Sequence, residues 1–308
     1  MKVHKCIFQR VASLENLFLA WEEFRKGKGS RKDVQEFEWK LEQNIFSLYR
    51  DLQSRQYKHG EYTAFSICDP KQRRIHKASV RDRVLHHAVF KILNPLFEPT
   101  FISHSFSCRE GKGTHKAVDA LEGWLRKTSK NYTAQCFALK CDIHQFFASV
   151  DQGILFSLVA RRIRDCSMQA LLTNIIKSFS VSEGKGIPLG NITSQLFANI
   201  YLHELDWFAK HTLREQYYIR YCDDFIFVHP SREHLLALIS RVEEFLNRQL
   251  RLYLHPNKVE IRSWGQGIDF LGYVLLPHCT ILRTKTKLRM LKYVNQSNLS
   301  SYLGLCSH

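Results

Sequence analysis

The sequence contains no uninterrupted apolar run approaching the roughly 20 residues that span a bilayer. Its start, MKVHKCIFQRVAS, has no signal-peptide core followed by a small-residue cleavage site. A membrane-spanning or secreted class is therefore set aside, and a cytoplasmic chain with no membrane partner is expected. Proline (7) and glycine (14) are scarce among 308 residues, which excludes a disordered class and leaves enough bulk for a core in one or two domains. The nine cysteines are odd in number and none sits in a CxxC pair, so neither a disulfide framework nor a zinc site is indicated. There is no GxGxxG or Walker loop, no internal repeat and no low-complexity tract. Acidic residues are in deficit: 29 Asp plus Glu face 45 Lys plus Arg, a net charge of +16. Such an excess attracts polyanions and binds phosphate backbones by counterion release, so nucleic acid is the expected partner.

Apolar residues at helical spacing predict a helix over Ser13 to Phe24 and, after a Gly-Lys-Gly-Ser break, a second one carrying Val34, Phe37, Leu41, Ile45 and Leu48 on one face. A strand-like run, Tyr62 to Cys68, precedes the basic segment KQRRIHKASVRDR, and the helix that follows is expected to end at Asn94-Pro95. SFSCREGKGTHKAV reads as a Gly- and Lys-rich loop entering a helix. QCFALKCDI reads as a buried strand ending at Asp142. After a loop from Gly184 to Gly190, Ser194 is placed to cap a long helix with Phe197, Ile200, Tyr201, Leu205 and Phe208 on one face. Tyr217 to Tyr221 and Phe225 to Val228 form a hairpin turning at Cys222-Asp223-Asp224. A helix over His234 to Arg248 and two short strands, around Lys258 and over Phe270 to Tyr273, complete the chain. Irregular alternation around an antiparallel hairpin argues an α+β sheet backed by helices over a doubly wound parallel sheet.

The chemistry lies in the carboxylates. Asp142 closes one buried strand and Asp223 with Asp224 occupies a hairpin turn, so neighbouring strands would bring three acids to one sheet edge. Hard carboxylate oxygens hold Mg²⁺, and phosphoryl transfer uses two such ions about 3.5–4 Å apart. An isolated Asp-Asp pair is ordinarily solvated turn chemistry; here two hydrophobic strands flank it, a Tyr precedes it, and a second strand-terminal Asp lies upstream. His86-His87 reads as the polar face of a helix, not a ligand pair. Tyr201 and Trp207 read as packing.

KCDIHQFFASVD resembles motif A of reverse transcriptases, and YCDD resembles their YxDD hairpin. RRIHKASVRDRVLHHAV is similar to the fingers segment of bacterial members, SFSCREGKGTHKAV to the block after it, HPNKVEI to motif D and IDFLGYVL to motif E. The blocks follow in order from about Glu15 to the C-terminus. Leu189-Gly190-Asn191-Ile192-Thr193-Ser194-Gln195 departs from the usual QGxxxSP of motif B and is similar to the [I/V/L]GxxxSQ of diversity-generating retroelements. Those enzymes copy a template-repeat RNA with errors opposite adenine. Retron, group II intron and phage-defence reverse transcriptases have related sequences, and a non-catalytic RNA-binding scaffold would keep the fold; the intact carboxylates argue against the scaffold.

The resemblance implies an α+β right-hand polymerase with an antiparallel palm sheet. Its parts would be an N-terminal helical extension over 1–59, fingers over 60–135, a palm over 136–278 with a fingers-proximal segment at 152–190, and the start of an abbreviated thumb over 279–308. It implies RNA-directed DNA polymerase activity with two Mg²⁺, or Mn²⁺ in their place, held by the side chains of Asp142, Asp223 and Asp224 and the carbonyl of Ile143. Phe147 matches the steric gate against a 2′-hydroxyl, with Phe146 as the core aromatic beside it. Arg73 and Arg83 lie where fingers residues clamp a triphosphate, with Arg74 or Arg81 as substitutes. Leu189, Gly190, Gln195 and Tyr221 fall at nucleotide-facing positions, Ser194 and Gly272 at template- and primer-facing ones. Lys258 matches the motif D lysine proposed to protonate pyrophosphate, or makes a plain phosphate contact. The implied partners are template RNA, cDNA with its primer, dNTPs and, because the thumb is short, a small basic helical accessory protein of the accessory-variability-determinant type, monomeric or oligomeric.

Overall fold

The structure, a computed structural model, describes residues 3–68, 72–296 and 298–306, with the side chains of Ser301 and Cys306 left aside. Lys71, at the head of the basic segment, and the last two residues lie outside the described residues. The chain folds as two interleaved compact units, Met1–Phe101 with Gln145–Glu204 and Leu250–Leu252, and Ile102–His144 with Leu205–Gln249 and Tyr253–His308.

The first unit is mainly helical. Ser13 caps the helix Leu14–Arg25 by accepting from the Asn16 N–H, and Leu17, Ala20 and Phe24 of its inner face are buried. The predicted second helix is two, Lys32–Trp39 and Leu41–Gln53, because Lys40 leaves helical geometry (φ −123°, ψ 39°). Both nonetheless bury the expected Val34, Phe37, Ile45 and Leu48. An antiparallel ribbon of β1 (Thr63–Cys68) and β2 (Gln72–Lys77) precedes the helix Val80–Phe97, capped by Ser79. That helix does not stop at Asn94: Pro95 sits in its last turn, where a missing N–H removes a single bond and Glu98 N–H still reaches the Asn94 carbonyl. His86 and His87 are no polar face. His86 is buried against His59 and Thr193, and His87 packs on Phe24. Ser194 is likewise not a cap, since the helix Ile192–Trp207 begins before it and Ser194 is buried in the first turn.

Asp165 ties the N-terminal segment to this unit. Its carboxylate accepts from the N–H groups of Ile7 (2.6 Å) and Phe8 (2.9 Å) and, as N-cap of the helix Cys166–Lys177, from Met168 (3.1 Å). Burial alone would raise its pKa, but these N–H donors prevail and hold it below the usual carboxylate range. Asp165→Ala is expected to cost about 3 kcal/mol, a cap plus two charge-assisted bonds, read from the urea midpoint. Because the folded-state pKa is depressed, this stability is present above the ordinary value of about 3.9 and is lost as pH falls through the folded value. A midpoint difference between wild type and variant that does not shrink on acidification contradicts this assignment.

The second unit is built on a four-stranded antiparallel sheet ordered β4-β5-β3-β6, with β3 Phe137–Asp142, β4 Tyr218–Tyr221, β5 Asp224–His229 and β6 Glu260–Ser263. Leu139 and Cys141 of β3 and Phe225, Ile226, Phe227 and Val228 of β5 are buried, as two-faced central strands require. Val118, Leu121, Trp124 and Leu125 of the helix Thr114–Thr128 pack on one face with Ile219 and Ile226. The strand expected around Lys258 starts at Glu260. The segment Phe270 to Tyr273 is a turn between strands, not one strand. β7 (Ile268–Phe270) and β8 (Tyr273–Leu276) pair across it, and β9 (Cys279–Leu282) completes a three-stranded sheet. Leu271 (φ +51°) and Gly272 (φ +95°) both take the left-handed conformation that two-residue hairpin turns demand. The helix Thr284–Tyr293 beyond has no buried residue and exposes Leu288 and Leu291.

Candidate active site

The three acids gather in the second unit through strand register. β3 and β5 run antiparallel with Asp142 directly opposite Asp224, and β4 pairs with β5 so that Tyr221 is also opposite Asp224. Two residues, Cys222 and Asp223, make the turn; Cys222 stands at φ +57°, the left-handed conformation that tight hairpins favour at their first central position. Asp224 thus belongs to the strand and Asp223 to its tip.

Beyond Asp142 the chain crosses to a neighbouring segment. Ile143 bridges Leu254, with His255 N–H donating to the Asp142 carbonyl (2.8 Å) and His144 N–H to the Tyr253 carbonyl (2.9 Å). The Ile143 carbonyl takes no part in these two bonds. His255 also starts the turn that brings Lys258 back: Lys258 Nζ lies 2.8 Å from Asp142 Oδ2. Lys140, two residues before Asp142, donates to the Asp269 carbonyl (2.9 Å), and burial lowers its pKa against the pull of Asp224.

This edge holds more negative charge than it can solvate. Burial raises the pKa of Asp223, reinforced by Asp142. Burial also lifts Asp224 to about 6, with Asp142 and Asp223 adding to the rise and Lys140 opposing it. Among the described residues no three His, Cys, Asp or Glu side chains converge tightly enough to enclose an ion; Asp142 is neutralised by Lys258 instead. By donor chemistry the edge nevertheless fits a hard divalent cation, since it offers carboxylate and carbonyl oxygens whose mutual repulsion such a cation relieves.

Most of the remaining sequence-derived positions belong to the first unit, whereas Trp207 and Gly272 belong to the second. Phe146 is fully buried against Tyr201, while Phe147 is half-buried and contacts it edge-on at 5.3 Å between ring centres. Arg73 is exposed on β2. Arg83 is engaged already: it pairs with Asp33, which also binds Lys77, and lies over the Phe24 ring. The Leu189 carbonyl accepts from His76 N–H of β2 (3.2 Å). Gly190, at φ +112°, brings the backbone so near that a Cβ would meet Ile75 Cγ2 at 3.0 Å. Motif B and β2 therefore form one local surface. Gln195 is exposed on the next helix, Ser194 is buried, and Tyr201 is core, its hydroxyl donating to the Leu250 carbonyl (2.6 Å). Trp207 is half exposed and packs on His211. Within the second unit, Gly272 accepts from Arg283 N–H at 2.9 Å.

Arg220 and Asp206, which belong to none of the residues singled out from the sequence, are wholly buried and paired behind the turn. The signal was present: an arginine within the apolar strand YIRY has to find a partner.

Residues 58–275 match the reverse transcriptase (RNA-dependent DNA polymerase) family, and the chain belongs to it. It is 25% identical over 236 residues to Protein YkfC of Escherichia coli, covering 64% of this chain and 61% of that one. To the group II intron-encoded protein LtrA of Lactococcus lactis it is 25% identical over 262 residues, 62% of this chain and 42% of that one. The chain thus spans less than two thirds of either relative. Among solved structures, a C-terminally truncated apo telomerase from Candida tropicalis superposes with a TM-score of 0.54 at 12% identity, over 74% of this chain and 55% of that one. That likeness and the mixed helical and antiparallel architecture place the chain in the right-hand polymerase fold.

Proposed function

We propose that this protein copies an RNA template into DNA, using the sheet edge of Asp142, Asp223 and Asp224. The observation that carries the proposal is the register that sets Asp142 opposite Asp224 with Asp223 at the adjoining turn. Bound divalent ions, Mg²⁺ or Mn²⁺, supply Lewis-acid activation of a hydroxyl and charge neutralisation at phosphate oxygens. The three carboxylates and the Ile143 carbonyl would hold them. Lys258, whose Nζ lies 2.8 Å from Asp142 Oδ2, would give a proton to a leaving phosphate oxygen or simply bind that oxygen. Arg73 and Arg83 would meet the triphosphate, Arg83 after exchanging Asp33 for it. Tyr221, Gly190, Gln195, Ser194 and Gly272 would face nucleotide and duplex.

Phe147 is proposed as the sugar gate. Discrimination by exclusion fails when the excluding volume is removed, so Phe147→Ala should raise ribonucleotide use relative to the matched deoxynucleotide. Insertion kinetics on a primed RNA template decide it; an unchanged ratio places the gate elsewhere.

Two subclasses remain in view. The names of the relatives favour an intron-type enzyme, whereas Leu189 and Gln195 in motif B support a diversity-generating retroelement that mutagenises adenines of a template-repeat RNA. An aliphatic side chain offers the nascent base pair no hydrogen bond where an amide would. Removing about 1–3 kcal/mol of discrimination raises errors roughly 5- to 150-fold. Leu189→Gln should then lower misincorporation opposite template adenine more than opposite other bases. Wild-type enzyme without an adenine excess would speak for the intron-type reading. The exposed Leu288, Leu291, Leu299 and Leu303 near Lys285, Lys287 and Lys292 support an accessory protein or structured RNA as a partner of this last segment.

A further inference from the structure

Arg220 lies in β4 with no exposed surface. A guanidinium inside an apolar strand is tolerated only when its donors are satisfied. Nε donates to Asp206 Oδ1 at 2.7 Å and Nη2 to Asp206 Oδ2 at 2.6 Å, a two-pronged pair; Nη2 also reaches Ser105 Oγ at 2.9 Å. The Tyr218 hydroxyl donates to the same Asp206 at 2.9 Å. Backbone bonds fix the strand in place, Arg220 N–H to the His104 carbonyl and Phe106 N–H to the Arg220 carbonyl, both 3.0 Å.

One donor points elsewhere. Nη1 reaches the carbonyl of Cys222 at 3.1 Å, which is the residue at positive φ and the one directly before Asp223. A non-glycine residue in that conformation is unfavourable by itself and persists where its surroundings hold it. The bond fixes the peptide plane joining Cys222 to Asp223, and therefore the direction in which the Asp223 carboxylate leaves the turn. Asp206, by gripping the other edge of the guanidinium, aims that donor.

We propose that Arg220, aimed by Asp206, is a positioning residue that sets the Asp223 carboxylate for metal binding. This rests on the assignment of Asp223 as a metal ligand. The alternative is that the pair merely stabilises the fold, and the two differ in what should change when the pair is altered without unfolding. Replacing both partners of a buried ion pair by apolar residues of similar volume often preserves stability, yet here it would also release the Cys222 carbonyl.

The test compares wild type, Asp223→Asn, Asp206→Leu/Arg220→Met, Arg220→Lys and Tyr218→Phe. Mn²⁺ affinity is read from the free-ion electron paramagnetic resonance signal, thermal melting from circular dichroism, and RNA affinity from a primed template. Arg220→Lys keeps the charge on Asp206, but one ammonium cannot both pair two-pronged and reach Cys222; it decides the matter should the double variant fail to fold. The expected result is at least a tenfold weaker Mn²⁺ dissociation constant in Asp223→Asn, in the double variant and in Arg220→Lys, with RNA affinity unchanged. Tyr218→Phe should melt lower but bind Mn²⁺ as wild type does. Folded Arg220 variants with wild-type Mn²⁺ affinity, beside a weakened Asp223→Asn, would overturn the positioning role and leave the ligand assignment standing. Equal weakening in Tyr218→Phe would also overturn it, as a general structural effect. Asp223→Asn binding Mn²⁺ like wild type would sink the ligand assignment and the positioning role with it.

Discussion

Asp223→Asn is expected to reduce metal-dependent extension of a primed RNA template by about a thousandfold or more, or ~4 kcal/mol of transition-state stabilisation. The amide keeps the size and the turn geometry of the acid but removes the charge from the tip of the hairpin. The loss should fall on the rate of the bond-forming step, with RNA affinity within a few-fold of wild type, because a surplus of +16 spread over the chain, not one carboxylate, carries attraction to the backbone. Single-turnover extension at saturating template separates the two. Retained rate in the variant would mean that the acids are structural.

The second large effect is on stability. Asp206→Ala leaves Arg220 charged, wholly buried and without its two-pronged partner, and strands the Tyr218 hydroxyl as well. Burial lowers the guanidinium pKa and Asp206 more than restores it, so the cost of the variant is that of an uncompensated buried charge, about 3–5 kcal/mol. The urea midpoint should drop accordingly, whereas Asp206→Leu/Arg220→Met should recover most of the loss. The non-additivity is itself the measurement. A single variant within about 1 kcal/mol of wild type, where most surface substitutions fall, would show that water reaches the pair.

The sheet edge was legible because strand composition is a short-range signal. Short runs dense in apolar, β-favouring side chains located β3 to β5, and a turn between Tyr221 and Phe225 had only one place to go. What the sequence hid depends on contacts distant along the chain. Asp206 closes a helix 14 residues before Arg220, and nothing local says that they meet. The His86 ring looked polar because its partners, His59 and Thr193, lie far away in sequence. Pro95 reads as a stop in the sequence, although in a last turn it forfeits only one bond. Lys40 breaks a helix that its apolar face predicts to be continuous, since periodicity across one disrupted residue still looks unbroken. The left-handed pair Leu271-Gly272 turned an apparent strand into a hairpin, a backbone choice that only glycine advertised.

The most direct measurement is single-nucleotide insertion by the purified chain on a primed RNA whose templating base is varied through all four identities, with each dNTP offered in turn and Mg²⁺ or Mn²⁺ present. Insertion is expected to require the metal, and the identity of the templating base to dictate which dNTP is used most efficiently. Insertion that ignores the template, or none on any RNA in a folded protein that binds RNA, would contradict it.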